Sequence, residues 1–245
     1  FTVIATNAYD VDSKIKETYM DFNLSEEQKE LQNSARKFAQ NELIEIAQQI
    51  EKTDEPPSIA VRKKYAELGY LGININESYG GSGGTHLDAV IVLEEIAKVS
   101  IGVAFPIFES CFGPCLAIAH FGNEKLKDWL LPKICSGDLI LAVSMSEPNA
   151  GSALTDLTTK GIIEDDMVVL NGTKRWCSGA GHSEAYVVYC RMSEEQGAKG
   201  IGAVVVEKGT PGFSFGKRDH HMGFRGIHSA DMYFDNVKVP LENIL

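Results

Sequence analysis

Two short polar turns hold the residue types best suited to chemistry. The first is Ser146-Glu147-Pro148-Asn149-Ala150-Gly151-Ser152, entered from an apolar run that begins at Leu139. Pro, Asn and Gly force the backbone to turn there. Such a turn exposes N–H groups and hydroxyls on its concave side, a surface for an anionic or carbonyl-rich ligand. By composition alone an ordinary loop reads the same way. The second turn, Trp176-Cys177-Ser178-Gly179-Ala180-Gly181, sets an aromatic plane beside a hydroxyl. Two such turns from adjoining strands could grip a flat heterocycle.

Other chemistries fit less well. Ser146 beside Glu147 lacks a surrounding G-x-S-x-G and a nearby His, so hydrolase chemistry is disfavoured. Gly80-Gly81-Ser82-Gly83-Gly84 has no following Lys-Ser/Thr and no βαβ context, and reads as a structural connection rather than a phosphate loop. The five cysteines show no CxxC spacing, and His220-His221 are neighbours that point different ways, so no disulfide framework or metal site is indicated. Cys111 and Cys115, four apart in an apolar run, are expected on one buried helix face. Cys177 reads as a small packing residue rather than a redox thiol. Arg225, in a Gly-Phe-Arg-Gly turn, fits a charge anchor between domains, a residue near substrate, or a plain surface turn. Glu94-Glu95 reads as a solvated helix edge, and Trp129 as core.

The elements that must position these turns change character along the chain. Ser25 and Gln28 form a capping-box pattern, followed by Leu31, Ala35, Phe38, Ile46 and Ile50 at helical spacing. Pro56-Pro57 ends that helix. Ser58 opens a second, with Val61, Tyr65 and Leu68 facing inward and Gly69 closing it. Further helices are predicted around Leu87–Ala97, over Cys111–His120, and from Glu124 towards Cys135. After Asp138 short apolar runs take over, at Leu139–Met145, Met167–Leu170, Ala185–Cys190, Ile201–Val206, Tyr233-Phe234 and Val237–Val239. Asn171-Gly172 is the strongest hairpin signal. Helices followed by strands imply an α+β chain of two domains, 20–137 and 138–245, without the alternation of a doubly wound nucleotide fold.

A net charge of -11 without clustered Lys and Arg argues against a nucleic-acid partner. No apolar stretch near twenty residues stands out, which leads to the expectation of no membrane insertion and a cytoplasmic setting, or the mitochondrial matrix in a eukaryote. Residues 1–19 lack clean periodicity, and the ordered protein is expected to begin near Met20. Because Leu245 directly follows a strand-like segment, the chain is expected to be a fragment.

Taken in order, four segments resemble the acyl-CoA dehydrogenase family. They are Ser146–Ser152, Leu170-Asn171-Gly172-Thr173-Lys174-Arg175-Trp176-Cys177-Ser178, Met222-Gly223-Phe224-Arg225-Gly226, and Asp235-Asn236-Val237-Lys238-Val239-Pro240 with Asn243-Ile244-Leu245. Phe22-x-Leu24-Ser25-Glu26-Glu27-Gln28 and Tyr79–Gly84 extend the match towards the start. The resemblance implies an all-α amino-terminal domain, a β-barrel-like middle domain, and a carboxy-terminal helical domain absent from this chain. It implies FAD as cofactor, held by Val143, Met145, Ser146, Gly151 and Ser152 of the first turn and by Trp176, Cys177 and Ser178 of the second. Ser146 would contact the pyrimidine side of the ring, Ser178 would approach flavin N5, and Ser152 would reach phosphate and the CoA portion of the substrate.

The implied reaction is α,β-desaturation of an acyl-CoA thioester with hydride transfer to the flavin. An electron-transfer flavoprotein is the implied acceptor, and a homotetramer or homodimer the implied assembly. In the family the base is a Glu of the carboxy-terminal domain, so no catalytic residue and no metal is assigned here. Ala153, Cys177, Gly179 and Val143 depart from the usual pattern, which puts ordinary straight-chain fatty acyl specificity in doubt. An oxidase or desulfinase of the same superfamily, or a non-catalytic flavin-binding module, are the alternatives.

Overall fold

The computed structural model describes residues 22–245, so the expectations for residues 1–19 and for a start near Met20 fall outside the described residues. Helix α1 (Glu26–Phe38) starts where its cap predicts. The Ser25 hydroxyl accepts from the Gln28 N–H and the Gln28 side chain accepts from the Ser25 N–H, each at 3.2 Å. The chain then widens into a π-helical turn (Ala39–Leu43) and continues as α2 (Ile44–Thr53). The wide turn holds Ala35, Ala39, Leu43 and Ala47, spaced by four, on one buried stripe with Ile50. A uniform 3.6-residue period drifts off that stripe, and Leu31, Phe38 and Ile46 are only partly buried against it. Helix α3 (Ile59–Glu67) buries Val61 and Tyr65, whereas Leu68, predicted to face inward, is 40% exposed.

Helix α4 (His86–Ala97) opens on a second capping box, Thr85 with Asp88. The predicted helix over Cys111–His120 is corrected to the junction of two. Helix α5 (Ile101–Cys111) ends at Cys111, Phe112 leaves helical geometry at φ −127 and ψ −143, and α6 (Gly113–Phe121) restarts with Pro114 in its first turn. Pro is tolerated there because that N–H has no intrahelical partner. Cys111 and Cys115 are both buried but belong to different helices. Together Ile101–Phe121 is long and apolar enough by length and composition to cross a membrane, which corrects the reading that no such stretch exists; most of it is buried in this fold. Helix α7 (Glu124–Cys135) packs Trp129 against a core.

Seven strands follow: β1 (Leu141–Ser144), β2 (Lys160–Glu164), β3 (Met167–Ser178), β4 (Ala185–Arg191), β5 (Ile201–Glu207), β6 (Phe213–Phe215) and β7 (Ser229–Pro240). They form one mixed sheet in the order β1-β4-β2-β3-β7-β6, with β5 on β4, curled into a half-barrel. Strand β4 is buried on both faces because its two sides meet different partners. Tyr186, Val188 and Cys190 face the barrel interior, while Ala185 and Val187 pack with Leu126, Leu130 and Ile134 of α7.

Asn171-Gly172 does not turn a hairpin. Strand β3 runs straight through it, with a register shift against β7 at that point. The Asn171 side chain instead accepts from the Asn236 N–H at 2.9 Å, and a Cβ on Gly172 would lie 2.5 Å from Thr159 Oγ1. The hairpin that does form joins β2 to β3 through Asp165-Asp166, with Asp165 at φ 54. Strands β2 and β6 were not anticipated, and the two runs near the end are one strand, β7.

Candidate functional site

The glycine-rich connection is settled by its own hydrogen bonds. Gly83 N–H donates to Ile75 O (2.9 Å) and Gly84 N–H to Ile73 O (2.8 Å), so these donors face the protein rather than a phosphate. A Cβ on Gly81 would sit 2.2 Å from Ile75 O.

The two polar turns, in contrast, meet across a groove of about 320 Å³. Val143, Met145 and Ser146 line one side, Arg175, Trp176, Cys177 and Ser178 another, and Phe105, Phe108 and Glu109 of α5 a third, with Phe224 at the edge. The turn at the end of β3 is built by a β-bulge. Lys174 pairs with Met232 and Cys177 with Ala230, so Arg175 and Trp176 together oppose the single residue Asp231. Trp176 takes a left-handed φ of 56, costly for a bulky side chain by about 1–3 kcal/mol, and the residue is 64% exposed, with the Arg175 guanidinium 5.6 Å from its ring centroid. A bulky residue held exposed in a strained conformation makes this turn the candidate binding surface.

The first turn is fixed from behind. Lys174, fully buried, donates from Nζ to Met145 O (2.9 Å) and to Glu147 Oε1 (2.8 Å). Glu147 Oε1 also accepts from Thr159 N–H, and Oε2 accepts from the Thr158 N–H and hydroxyl. Arg175 N–H donates to Ser146 O at 2.8 Å, tying the two turns together. Burial alone would raise the Glu147 carboxyl, but the Lys174 ammonium and the threonine donors outweigh it and bring it down to about 2. Glu147 is thus a clamp with all its acceptor capacity directed inward, and no candidate base.

The structure brings together Val143, Met145, Ser146, Trp176, Cys177 and Ser178. Gly151 and Ser152 do not line this groove: they lie past the Glu147–Ala150 turn, exposed, with open space around Gly151. Cys177 touches the groove but points its thiol to Val143 O (3.4 Å), and burial pushes that thiol up to about 12. The Ser146 and Ser178 hydroxyls make no hydrogen bond among the described residues. A flat indole, apolar walls and two unengaged hydroxyls fit a flat heterocycle with polar edges, and in that respect fit a flavin ring.

Several residues were misread or missed from sequence. Glu95 is no solvated edge: it is buried, chelated by Arg36 (2.9 and 3.0 Å) and Lys98 (2.7 Å), and the Arg36 hydrogen bonds hold its carboxyl low. These pairs line a larger groove of about 740 Å³, in which Arg36, Glu95 and Lys98 are already matched to one another. Arg225 is a charge anchor, reaching Asp54 at 3.6 Å beside Arg218 at 3.0 Å. Phe105, Phe108 and Glu109 were missed. The signal was present in Glu109, one ionisable side chain within the otherwise apolar run Ile101–Cys111.

Comparison with known proteins gives matches to two family models: acyl-CoA dehydrogenase, N-terminal domain, over residues 25–138, and acyl-CoA dehydrogenase, middle domain, over residues 142–237. An acryloyl-CoA reductase (NADH) of Anaerotignum propionicum is 38% identical over 228 residues, covering 92% of this chain and 57% of the relative. The structure of butyryl-CoA dehydrogenase from Megasphaera elsdenii superposes with a TM-score of 0.84 at 32% identity, over 92% of this chain and 60% of that one. A structure of PigA in complex with FAD gives a TM-score of 0.86 at 28% identity, over 92% and 59%. The chain therefore spans a little under two thirds of the length of these relatives.

Proposed function

The chain belongs to the acyl-CoA dehydrogenase family, and from that premise we propose that it carries the flavin and acyl-thioester groove of an FAD-dependent dehydrogenase that desaturates an acyl-CoA between its α and β carbons. The observation that carries this reading is the strained, exposed Trp176, set by a bulge opposite Met145 and Ser146. FAD, when bound, would supply the two-electron acceptor that takes the β-hydrogen as hydride.

The chain's own residues would bind and orient. The Trp176 indole offers a stacking plane, and Val143, Met145 and Phe108 would add apolar surface for the ring to cover. The Ser146 and Ser178 hydroxyls would donate to polar ring edges, fixing its orientation and stabilising charge that builds there. Glu147 and Lys174 hold the backbone of Met145 and Ser146 still, so those contacts need no reorganisation. Gly151 and Ser152, outside the groove, would serve the phosphate or CoA portion. None of the groove residues is assigned as the base. Transfer of electrons to an electron-transfer flavoprotein, assembly as a tetramer or dimer, and a cytoplasmic setting belong to the same proposal, made for the whole protein to which this sequence belongs.

The test is anaerobic mixing of the full-length flavoprotein with a panel of short-chain and branched acyl-CoA thioesters. Bleaching of the oxidised flavin band by at least one thioester supports the reading. A bound flavin that no thioester reduces or perturbs contradicts it.

A further inference from the structure

Glu109 is a buried carboxyl for which the reaction described above has no use. It sits on α5 among Val103, Ala104, Ile107 and Cys111, all buried, and is itself 7% exposed. Its carboxyl makes no hydrogen bond and no ion pair among the described residues. Arg62 acts on it only at a distance; its Nη1 lies 3.7 Å from Glu184 Oε2 and makes no hydrogen bond among the described residues. Burial, reinforced by the Glu184 charge, pushes the Glu109 carboxyl well above its ordinary value. The Glu109 oxygens are not among the fully enclosed unpartnered polar atoms, so the side chain is buried while its oxygens open onto space with no protein partner to take them.

Three spaces adjoin it. On one side is the groove, where Phe105, Phe108 and Trp176 form the walls around Glu109. On the other are two small spaces, one of about 20 Å³ beside Arg62, Gly179 and His182 with room for one water, and one of about 10 Å³ beside Arg62, Ser110 and Ile140. Gly179 borders the carboxyl: a Cβ there would come into van der Waals contact with Glu109 Oε1 at 3.4 Å and would clash with Ser183 Oγ at 2.3 Å. The carboxyl is an acceptor in either protonation state. A plain hydrocarbon chain laid along the groove would seal it off unpaired, whereas a chain bearing a donor at that point would satisfy it.

We propose that Glu109 is a specificity-determining residue, selecting an acyl group that carries a hydrogen-bond donor, a hydroxyl or an ammonium, over the unsubstituted chain of the same shape. The inference rests on the reading of the groove as an acyl-CoA site.

The experiment uses the full-length flavoprotein and two sets of isosteric thioesters. One set is pentanoyl-, 4-hydroxybutyryl- and 4-aminobutyryl-CoA; the other is hexanoyl-, 5-hydroxypentanoyl- and 5-aminopentanoyl-CoA. Dissociation constants are read from perturbation of the flavin spectrum. In the wild type, a donor-bearing thioester is expected to bind at least ~10-fold more tightly than its methyl isostere, because a site with a buried polar group discriminates against a partner that leaves it unpaired. Glu109→Leu should abolish or invert that ratio. Glu109→Gln should keep part of a hydroxyl preference and lose an ammonium preference, which separates the two donors. Methyl isosteres that bind as well as their donor counterparts in the wild type would overturn the proposal and leave Glu109 to a buried water. So would an unchanged ratio in Glu109→Leu. If no thioester perturbs the flavin at all, the acyl-CoA reading itself fails and this inference falls with it.

Discussion

Replacing Lys174 with Met tests how the Met145–Ser146 turn is held. The methionine fills nearly the same volume but leaves Glu147 Oε1 with Thr159 alone and Met145 O without its donor. Removing one partner of a buried ion pair costs about 3–5 kcal/mol. The carboxyl gives a second route to the figure. Glu147 titrates at about 2 in the fold against an ordinary 4.5, a difference worth roughly 3 kcal/mol at neutral pH. The sign follows from the lowered folded value: this stabilisation is complete above about 4.5 and is lost as pH falls towards 2. Urea unfolding followed by far-ultraviolet circular dichroism, at pH 7 and at intervals down to pH 3, measures both quantities. Lys174→Met should lose about 3 kcal/mol at pH 7 and show a flatter acid limb than the wild type. A loss below ~1 kcal/mol with an unchanged acid limb would refute the clamp. The double replacement Glu147→Leu with Lys174→Met should recover only part of the loss: it leaves no unpaired charge, but the Thr158 and Thr159 N–H groups lose their acceptor and Met145 O its donor.

Trp176→Gly should separate stability from binding: relief of the left-handed φ leaves unfolding free energy unchanged or raises it by up to ~1 kcal/mol, while FAD affinity, followed by equilibrium titration, falls at least ~10-fold with loss of the stacking plane. Gly81→Ala should lower stability by about 2–3 kcal/mol in thermal unfolding, because its Cβ would meet Ile75 O and Gly72 O, without altering the flavin spectrum. Cys177, buried and with its thiol pushed up to about 12, should resist thiol-specific reagents at pH 8 in the native protein and react only on unfolding; rapid native labelling at Cys177 by mass spectrometry would show that the residue is reactive after all.

What could be read from the sequence follows from what is local. The Ser25–Gln28 cap, the helix from Glu124 and strands β4 and β5 all carry their signals within a few residues, and each was found. Asn171-Gly172 misled because its hairpin preference is local, while its fate is decided by Asn236 and Thr159, distant in the chain. The π-helical turn at Ala39–Leu43 escaped because a regular period was assumed through it. The candidate site divides in the same manner. Met145, Ser146, Trp176 and Ser178 lie in turns with recognisable composition, whereas Phe105, Phe108 and Glu109 reach the groove only because α5 packs beneath β1, a tertiary fact. Glu95 was misread because burial by Arg36, a residue 59 positions away, leaves no trace in its neighbours.

The central claim is that the space between Met145–Ser146 and Trp176–Ser178 receives the flavin ring, and the two tryptophans of the chain permit a direct measurement. Trp129→Phe leaves Trp176 as the single indole in this sequence and changes no residue of the groove. Any tryptophans elsewhere in the full-length protein would be replaced likewise. Titration of that variant's apoprotein with FAD should quench Trp176 fluorescence in a saturable curve that ends at one flavin per chain. Stoichiometric FAD binding that leaves Trp176 emission unchanged would place the ring elsewhere and contradict the account.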